Sequence, residues 1–164
     1  PIAALQNEYS LWSRNVEIAG LKACDDLGVA LVAFSPLARG YLTGALRDVS
    51  GLDARDIRLG MPRFAPDTYR RNLKLLDDYV ELAAVAGCTP AQLAIAWLLA
   101  RGPHVIPITG TTQAAHLEES VGAASVKLDA DLVSRLDAII NQTTVIGARY
   151  NAATQAEIDT EVFP

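Results

Sequence analysis

Cysteine is scarce in this 164-residue chain: Cys24 and Cys88 are its only two, and they form neither a CxxC pair nor a zinc-ligand spacing. Reduced thiols of a cytoplasmic protein are the expected state. Histidine is as sparse. His104 and His116 share no ligand pattern with other donors, so no metal site is expected. Positive charge is also short: 14 Lys and Arg stand against 19 Asp and Glu, giving a net charge of −5 and a pI near 4.9. No basic cluster relieves that balance, which argues against nucleic acid or an anionic membrane surface as a partner. No apolar run approaches the roughly 18 residues of a membrane helix, and no secretory leader is evident. The phosphate-loop pattern GxxxxGK(S/T), the dinucleotide pattern GxGxxG and the hydrolase pattern GxSxG are all absent.

What remains is the composition of one globular domain, 51% apolar and 20% charged. The chain opens on Pro1 and runs straight into an apolar segment, so it reads as cut rather than started; a processed N-terminus is the alternative. Ile2 to Leu5 read as a buried strand whose carboxyl end carries the polar Gln6-Asn7-Glu8. Asn15 can cap a helix from Val16 to Leu27, with Leu21, Cys24 and Leu27 on its inner face and Gly28 as its stop. Val29 to Phe34 (VALVAF) is almost wholly apolar, as expected of a strand buried on both faces of a parallel sheet. The turn AFSPLARGYLTG follows, from Ala33 to Gly44, and then the polar stretch Arg47 to Thr68, which reads as a long loop. Tyr69 to Ala86 carries Leu73, Leu76, Val80 and Ala83/Ala84 at helical spacing and stops at Gly87. Thr89 and Pro90 supply an N-cap and a first helical residue for a helix to Arg101. Val105 to Ile108 is a third short strand, and a helix from Gln113 to Ala124 follows. Asp129 caps another from Ala130 to Ile140, and the tail Asn141 to Pro164 shows no period.

Alternating strands and helices predict an α/β fold of parallel units with right-handed crossovers. Three strands are too few to close a (β/α)8 barrel, which takes eight strands and about 250 residues. An open sheet of three would leave its edges bare. Ligands of such folds bind beyond the carboxyl ends of the strands, which selects Gln6 to Tyr9, Phe34 to Gly44 and Thr109 to Thr112. The first offers an amide and a carboxylate, the second an aromatic ring, a hydroxyl and open backbone. The third is a helix entry whose N–H groups favour phosphate. Together they suit a nucleotide, although a glycine-bearing turn at a helix start is common in any β/α protein.

Five blocks occur in order: QNEYSLWSR (Gln6 to Arg14), VAFSPLARGYLTG (Val32 to Gly44), DIR…PRF (Asp56 to Phe64), GCTPAQLAIAWLLARG (Gly87 to Gly102) and VIPITGTT…HLEES (Val105 to Ser120). On them the chain resembles the carboxyl-terminal half of the aldo-keto reductases, in the subgroup of bacterial reductases related to potassium-channel β subunits. The resemblance implies the C-terminal part of a (β/α)8 TIM barrel, with residues 1–164 as a single partial domain, and an NADP(H) site. Gln6 would hydrogen-bond the nicotinamide carboxamide, and Phe34 would stack on the ring. Ser35, Pro36, Leu37 and Gly40 would wrap the pyrophosphate, covered by Arg58 or Arg63. Gly110, Thr111 and Thr112 would take the adenosine 2′-phosphate, with His116 beside them and Glu119 and Ser120 facing the adenine. Without the family, Phe34 reads as core, the turn as a tight turn and each arginine as a solvated side chain.

Departures from the family pattern cluster at the phosphate. Ala45 stands where many relatives carry Lys, Thr112-Gln113 replaces a frequent Lys-Arg pair, His116 sits where Arg or Gln is frequent, and Ser120 replaces Asn. Fewer charge-assisted contacts leave NAD as an alternative to NADP. The Asp, Tyr, Lys and His of the family's hydride transfer belong to the half that precedes Pro1. Tyr9, Tyr41, Tyr69, Tyr79 and Tyr150 do not match the catalytic tyrosine, and Lys22, Lys74 and Lys127 read as surface residues. The expectation is a cofactor-binding half with no catalytic residue of its own, reducing an aldehyde or ketone only when an amino-terminal half completes it. A non-catalytic half-barrel that pairs with a second copy, or a nucleotide sensor, is the alternative. Arg47 to Thr68 and the tail are the candidates for substrate selectivity.

Overall fold

Three short parallel strands lie side by side in a computed structural model that describes residues 1–158 and residue 163. They are β1 (Ala4–Glu8), β2 (Ala30–Phe34) and β3 (Val105–Ile108), in that spatial order. Leu5 is level with Leu31 and Leu31 with Val105, while Gln6 is level with Val32 and Val32 with Ile106. Side chains alternate across a sheet, so Leu31, Ala33 and Val105 share one face and Gln6, Val32, Phe34, Ile106 and Ile108 share the other. The first set is buried under the helices. On the second, Gln6 is exposed, Ile106 and Ile108 remain 48% and 42% exposed, and Val32 and Phe34 are half-buried. The expectation that VALVAF is buried on both faces is therefore corrected: among the described residues, only one face of β2 is fully covered.

The covering layer consists of α1 (Gly20–Leu27), α2 (Pro66–Val85), α3 (Pro90–Leu99), α4 (Ala114–Gly122) and α5 (Ala130–Ile139). Helix α3 is apolar almost all round, with seven of its ten residues buried, because it packs against β3, α2 and α4 at once. Its start is a full capping box: Thr89 accepts from the Gln92 N–H and Gln92 from the Thr89 N–H, each at 3.1 Å. Asp129 caps α5 by accepting from Leu132 N at 2.8 Å. Trp97 of α3 meets Tyr9 edge-on at 5.3 Å and donates its indole N–H to Asp137 of α5 at 3.0 Å. Asp137 also accepts from Arg14 and Arg101, whose guanidiniums lie over the Trp97 ring. Helices α3 and α5 are thereby tied to the exit of β1.

Several boundaries differ from expectation. Strand β1 takes in Gln6 to Glu8, because the ladder is made by backbone groups and polar side chains do not oppose it. The helix expected from Val16 to Leu27 is split into a 3-10 turn, Asn15–Glu17, and α1, which starts at Gly20 behind an Ala19 N-cap with no side-chain bond. Val16 is fully buried, and seating it in the core turns the chain off the axis of α1. Leu27, placed on the inner face by periodicity, is 76% exposed. The long loop carries two 3-10 turns, Ile57–Gly60 and Pro62–Phe64, and α2 begins early, with Pro66 in its first turn. The tail contains a short helix, α6 (Ala152–Ala156), capped by Asn151; of the tail read from Asn141 to Pro164, residues 159–162 and 164 lie outside the described residues. Among the described residues no single helix is long and apolar enough to cross a membrane.

Candidate functional site

The turn after β2 is held in a conformation most residues avoid. Ser35, Ala38 and Arg39 have φ of +53°, +50° and +55°, followed by Gly40 at +96°. Left-handed backbone at a non-glycine residue costs on the order of 1–2 kcal/mol, so the surroundings must enforce it. An aromatic cluster does so. Tyr41 is fully buried, stacks on Trp12 at 4.1 Å, meets Tyr69 edge-on and donates its hydroxyl to the Asn72 carbonyl at 2.5 Å. Phe64 closes the cluster against Trp12 and Tyr69. Arg58 donates to the Arg39 carbonyl at 3.1 Å, and a Cβ at Gly40 would stand 3.4 Å from its guanidinium. Glycine at position 40 thus suits the positive φ, while Arg58 would only touch a Cβ there.

This strained turn forms one wall of a cleft of about 450 Å³, presenting Ser35, Pro36, Leu37, Arg39 and Gly40. Ile108, Thr109, Gly110 and His116 stand opposite, and Arg58 also lines it. A second cleft of about 290 Å³ shares Leu37, Thr43, Thr109, Gly110 and His116 with the first and continues past Ala45 to Thr111, Glu119 and Ser120. The two make one elongated trough. Among the described residues its guanidiniums are those of Arg39 and Arg58, and His116 adds an imidazole. Arg58 is held by Asp56 through bonds of 2.9 and 2.6 Å, which raise the guanidinium's already high value and hold the Asp56 carboxyl down to about 2. His116 Nδ1 lies 3.4 Å from the Thr111 hydroxyl. Helix α4 is pinned to α3 where Gln92 donates to the Glu119 carbonyl at 3.1 Å.

Of the residues singled out in the sequence, the trough gathers Ser35, Pro36, Leu37, Gly40, Arg58, Gly110, Thr111, His116, Glu119 and Ser120. Thr112 is exposed and lines neither cleft. The helix expected from Gln113 starts at Ala114, and Thr111 accepts from Gln113 N at 3.1 Å, so the Gly-Thr-Thr stretch precedes the first turn rather than forming it. Gln6 and Phe34 sit on the open sheet face, outside both clefts. Arg63, the alternative to Arg58, points elsewhere: it donates to the Trp12 and Gly147 carbonyls and lies over the Trp12 ring.

A second polar cluster went unread in the sequence. Glu8, at the end of β1 and 5% exposed, accepts from Tyr150 at 2.6 Å, Arg149 at 3.2 Å and Arg39 at 3.4 Å. Burial pushes its carboxyl up, but the Arg149 charge, the hydrogen bonds of Tyr150 and Ser13, and Arg39 together hold it below its ordinary value. Arg149 and Tyr150 are more than 140 residues away in sequence, and no local pattern announces them. All five tyrosines are also engaged. Burial raises the phenols of Tyr9, Tyr41, Tyr69, Tyr79 and Tyr150 above their ordinary value, Tyr69 to about 12.

Residues 1–141 match the family model described as the aldo/keto reductase family. The chain belongs to that family. It is 37% identical over 169 residues to the aldo-keto reductase yakc [NADP(+)] of Schizosaccharomyces pombe (strain 972 / ATCC 24843). That match covers all of this chain and 50% of the relative, so this aldo/keto reductase chain spans about half the relative's length. Among solved structures it resembles the thermostable aldo-keto reductase Tm1743, solved with the inhibitor epalrestat, at 29% identity and a TM-score of 0.61 over 85% of this chain and 40% of that one. It shares the fold of the glycerol dehydrogenase AKR11B4 of Gluconobacter oxydans, at 24% identity and a TM-score of 0.76 over 85% of this chain and 42% of that one. The three parallel strands and their helices are thus part of an aldo/keto reductase (β/α)8 barrel, as the ordered blocks led us to expect.

Proposed function

We propose that this chain is the cofactor-binding half of an NADP(H)-dependent aldo/keto reductase that converts aldehydes or ketones to alcohols. The observation that carries the reading is the elongated trough between the strained Ser35–Gly44 turn and the Thr109–Ser120 segment. Its length and its two guanidiniums, Arg39 and Arg58, fit the phosphates of a dinucleotide. The NADP(+) in the name of the fission-yeast relative supports the phosphorylated cofactor. Ser35, Pro36, Leu37 and Gly40, with Arg58, would hold the pyrophosphate. Gly110, Thr111 and His116 would face the 2′-phosphate, and Glu119 and Ser120 the adenine. Gln6 and Phe34, on the open sheet face, would position the nicotinamide amide and ring. When bound, the nicotinamide supplies hydride to a carbonyl carbon.

The proton for the new alcohol needs a donor within hydrogen-bond reach of the carbonyl and with a suitable pKa. Four of the five tyrosines are buried, Tyr150 is half-buried on Glu8, and all have raised phenols, so they are poor donors. We therefore assign the acid to the barrel half that would complete residues 1–164, which form one partial domain, and expect the chain by itself to reduce nothing. The two unpaired thiols suit a cytoplasmic setting. Calorimetric titration tests the first step: NADPH binds this chain, and NADH binds more weakly. No heat with either would remove the reading. NADPH oxidation across a panel of aldehydes and ketones is expected only after an amino-terminal half is added, and its absence there would count equally against it. A second reading, a half-barrel that pairs with another copy, is favoured by the apolar, exposed Ile106 and Ile108. A monomer by sedimentation at micromolar concentration would remove that version.

A further inference from the structure

Adjoining the trough at Arg39 is a smaller cavity, walled also by Glu8, Trp12, Arg63, Phe64 and Arg149. Its depth holds about 10 Å³, room for a single water-sized atom, and its mouth is open. Among the described residues three guanidiniums, Arg39, Arg63 and Arg149, face one carboxylate, Glu8, which leaves two positive charges in excess. The partners of Arg63 are the Trp12 and Gly147 carbonyls and the Ser13 hydroxyl, all neutral. Burial pushes its guanidinium down to about 10. Two buried donors also lack acceptors among the described residues: the indole N–H of Trp12, a residue only 4% exposed, and Nε of Arg39. Buried donors and unbalanced buried cations are both costly. A water would satisfy the donors but not the charge.

We infer that this cavity receives the carboxylate of the substrate, one oxygen seated among the Trp12 indole and the Arg39 and Arg63 guanidiniums, so that the reductase acts on carbonyl compounds that also carry an acid group. The room for one oxygen favours a planar carboxylate entering edge-first over a phosphate, and guanidinium forks match its geometry. Glu8 is two residues past Gln6 on the same side of β1, about 7 Å along the strand. The carbonyl and the acid are therefore a few bonds apart, as in an oxo-acid or a semialdehyde. The inference rests on the proposed function for the carbonyl, but the acid site stands on its own geometry.

The indole N–H resonances of the chain provide the test, because Trp97 already donates to Asp137 and serves as the internal reference. Sodium acetate shifts the Trp12 resonance saturably and leaves Trp97 in place; acetamide shifts neither. Arg39→Met weakens the acetate response by about tenfold or more with the Trp97 signal unchanged. No saturable shift with acetate, or an equal shift with acetamide, overturns the inference. So does a shift saturated by chloride or inorganic phosphate that acetate cannot compete, which marks an inorganic-anion site. Should Arg39→Met fail to fold, the contrast between acetate and acetamide on the unaltered chain decides. In the completed reductase, the preference in kcat/KM for an oxo-acid over its methyl ester falls by a similar factor in Arg39→Met, and an unchanged preference overturns the assignment. Loss of all carbonyl reduction would fall on the proposed function, while acetate binding to the chain would stand.

Discussion

On the helix side of the sheet Leu31 and Ala33 are fully buried and Val105 is 3% exposed, whereas across the same strands Gln6, Ile106 and Ile108 face outward. The two faces are equally apolar along β2 and β3, so composition does not explain the difference. Cover does: α3 packs on β3 and binds α2 and α4 to it, while the other face meets little of the chain. Stability and function are thereby separated in space. The covered face supplies the hydrophobic burial that holds the fold, and the uncovered face carries Gln6 and Phe34, the residues proposed to orient the nicotinamide. Glu8 is the exception. It shares the side of Gln6 and Phe34 yet is 5% exposed, because Arg149 and Tyr150 of the tail close over it.

The contrast is broken most severely from the covered side. Leu31→Ala leaves a cavity under the helices and is expected to cost about 3–4 kcal/mol, read as a lower urea midpoint. Glu8→Gln is expected to cost about 2–3 kcal/mol by leaving Arg149 and Arg39 facing a neutral amide. It also has a pH signature. The folded-state value of Glu8 lies below its ordinary 4.5. Its contribution is therefore complete above the unfolded value and is lost as pH falls through the lower folded one. Urea midpoints measured from neutral pH downward should show that acid limb in the unaltered chain and a flatter one in Glu8→Gln.

What could be read from the sequence follows the same division. Helix ends were legible where chemistry is local: Thr89-Pro90 and Asp129 as caps, Gly28 and Gly87 as stops with positive φ. The trough was legible in part, since Ser35 to Gly40 and Gly110 to Ser120 lie in continuous stretches. Which face of β2 is open was not, because VALVAF is apolar at every position and alternation is silent there. The left-handed Arg39 had no signal either, as only glycine advertises positive φ. Nor did Glu8 with Arg149 and Tyr150, a contact across almost the whole chain. One clue was present and passed over, the Thr89–Gln92 spacing of a capping box.

The smaller effects sharpen the comparison. Thr89→Ala removes one cap from the covering layer and should cost about 1 kcal/mol, while Thr89→Ser restores most of it; thermal unfolding of the pair separates the cap from packing. Ile106→Lys places a charge on the open face, where the side chain is already 48% exposed. The expected change in the chain's own stability is within about 0.5 kcal/mol, together with weaker binding to whatever covers that face. Urea unfolding and sedimentation of the same variant read both. A cost for Ile106→Lys near that of Leu31→Ala would mean that the open face is covered in solution. If that cost grew with protein concentration, the cover would be a second copy of this chain.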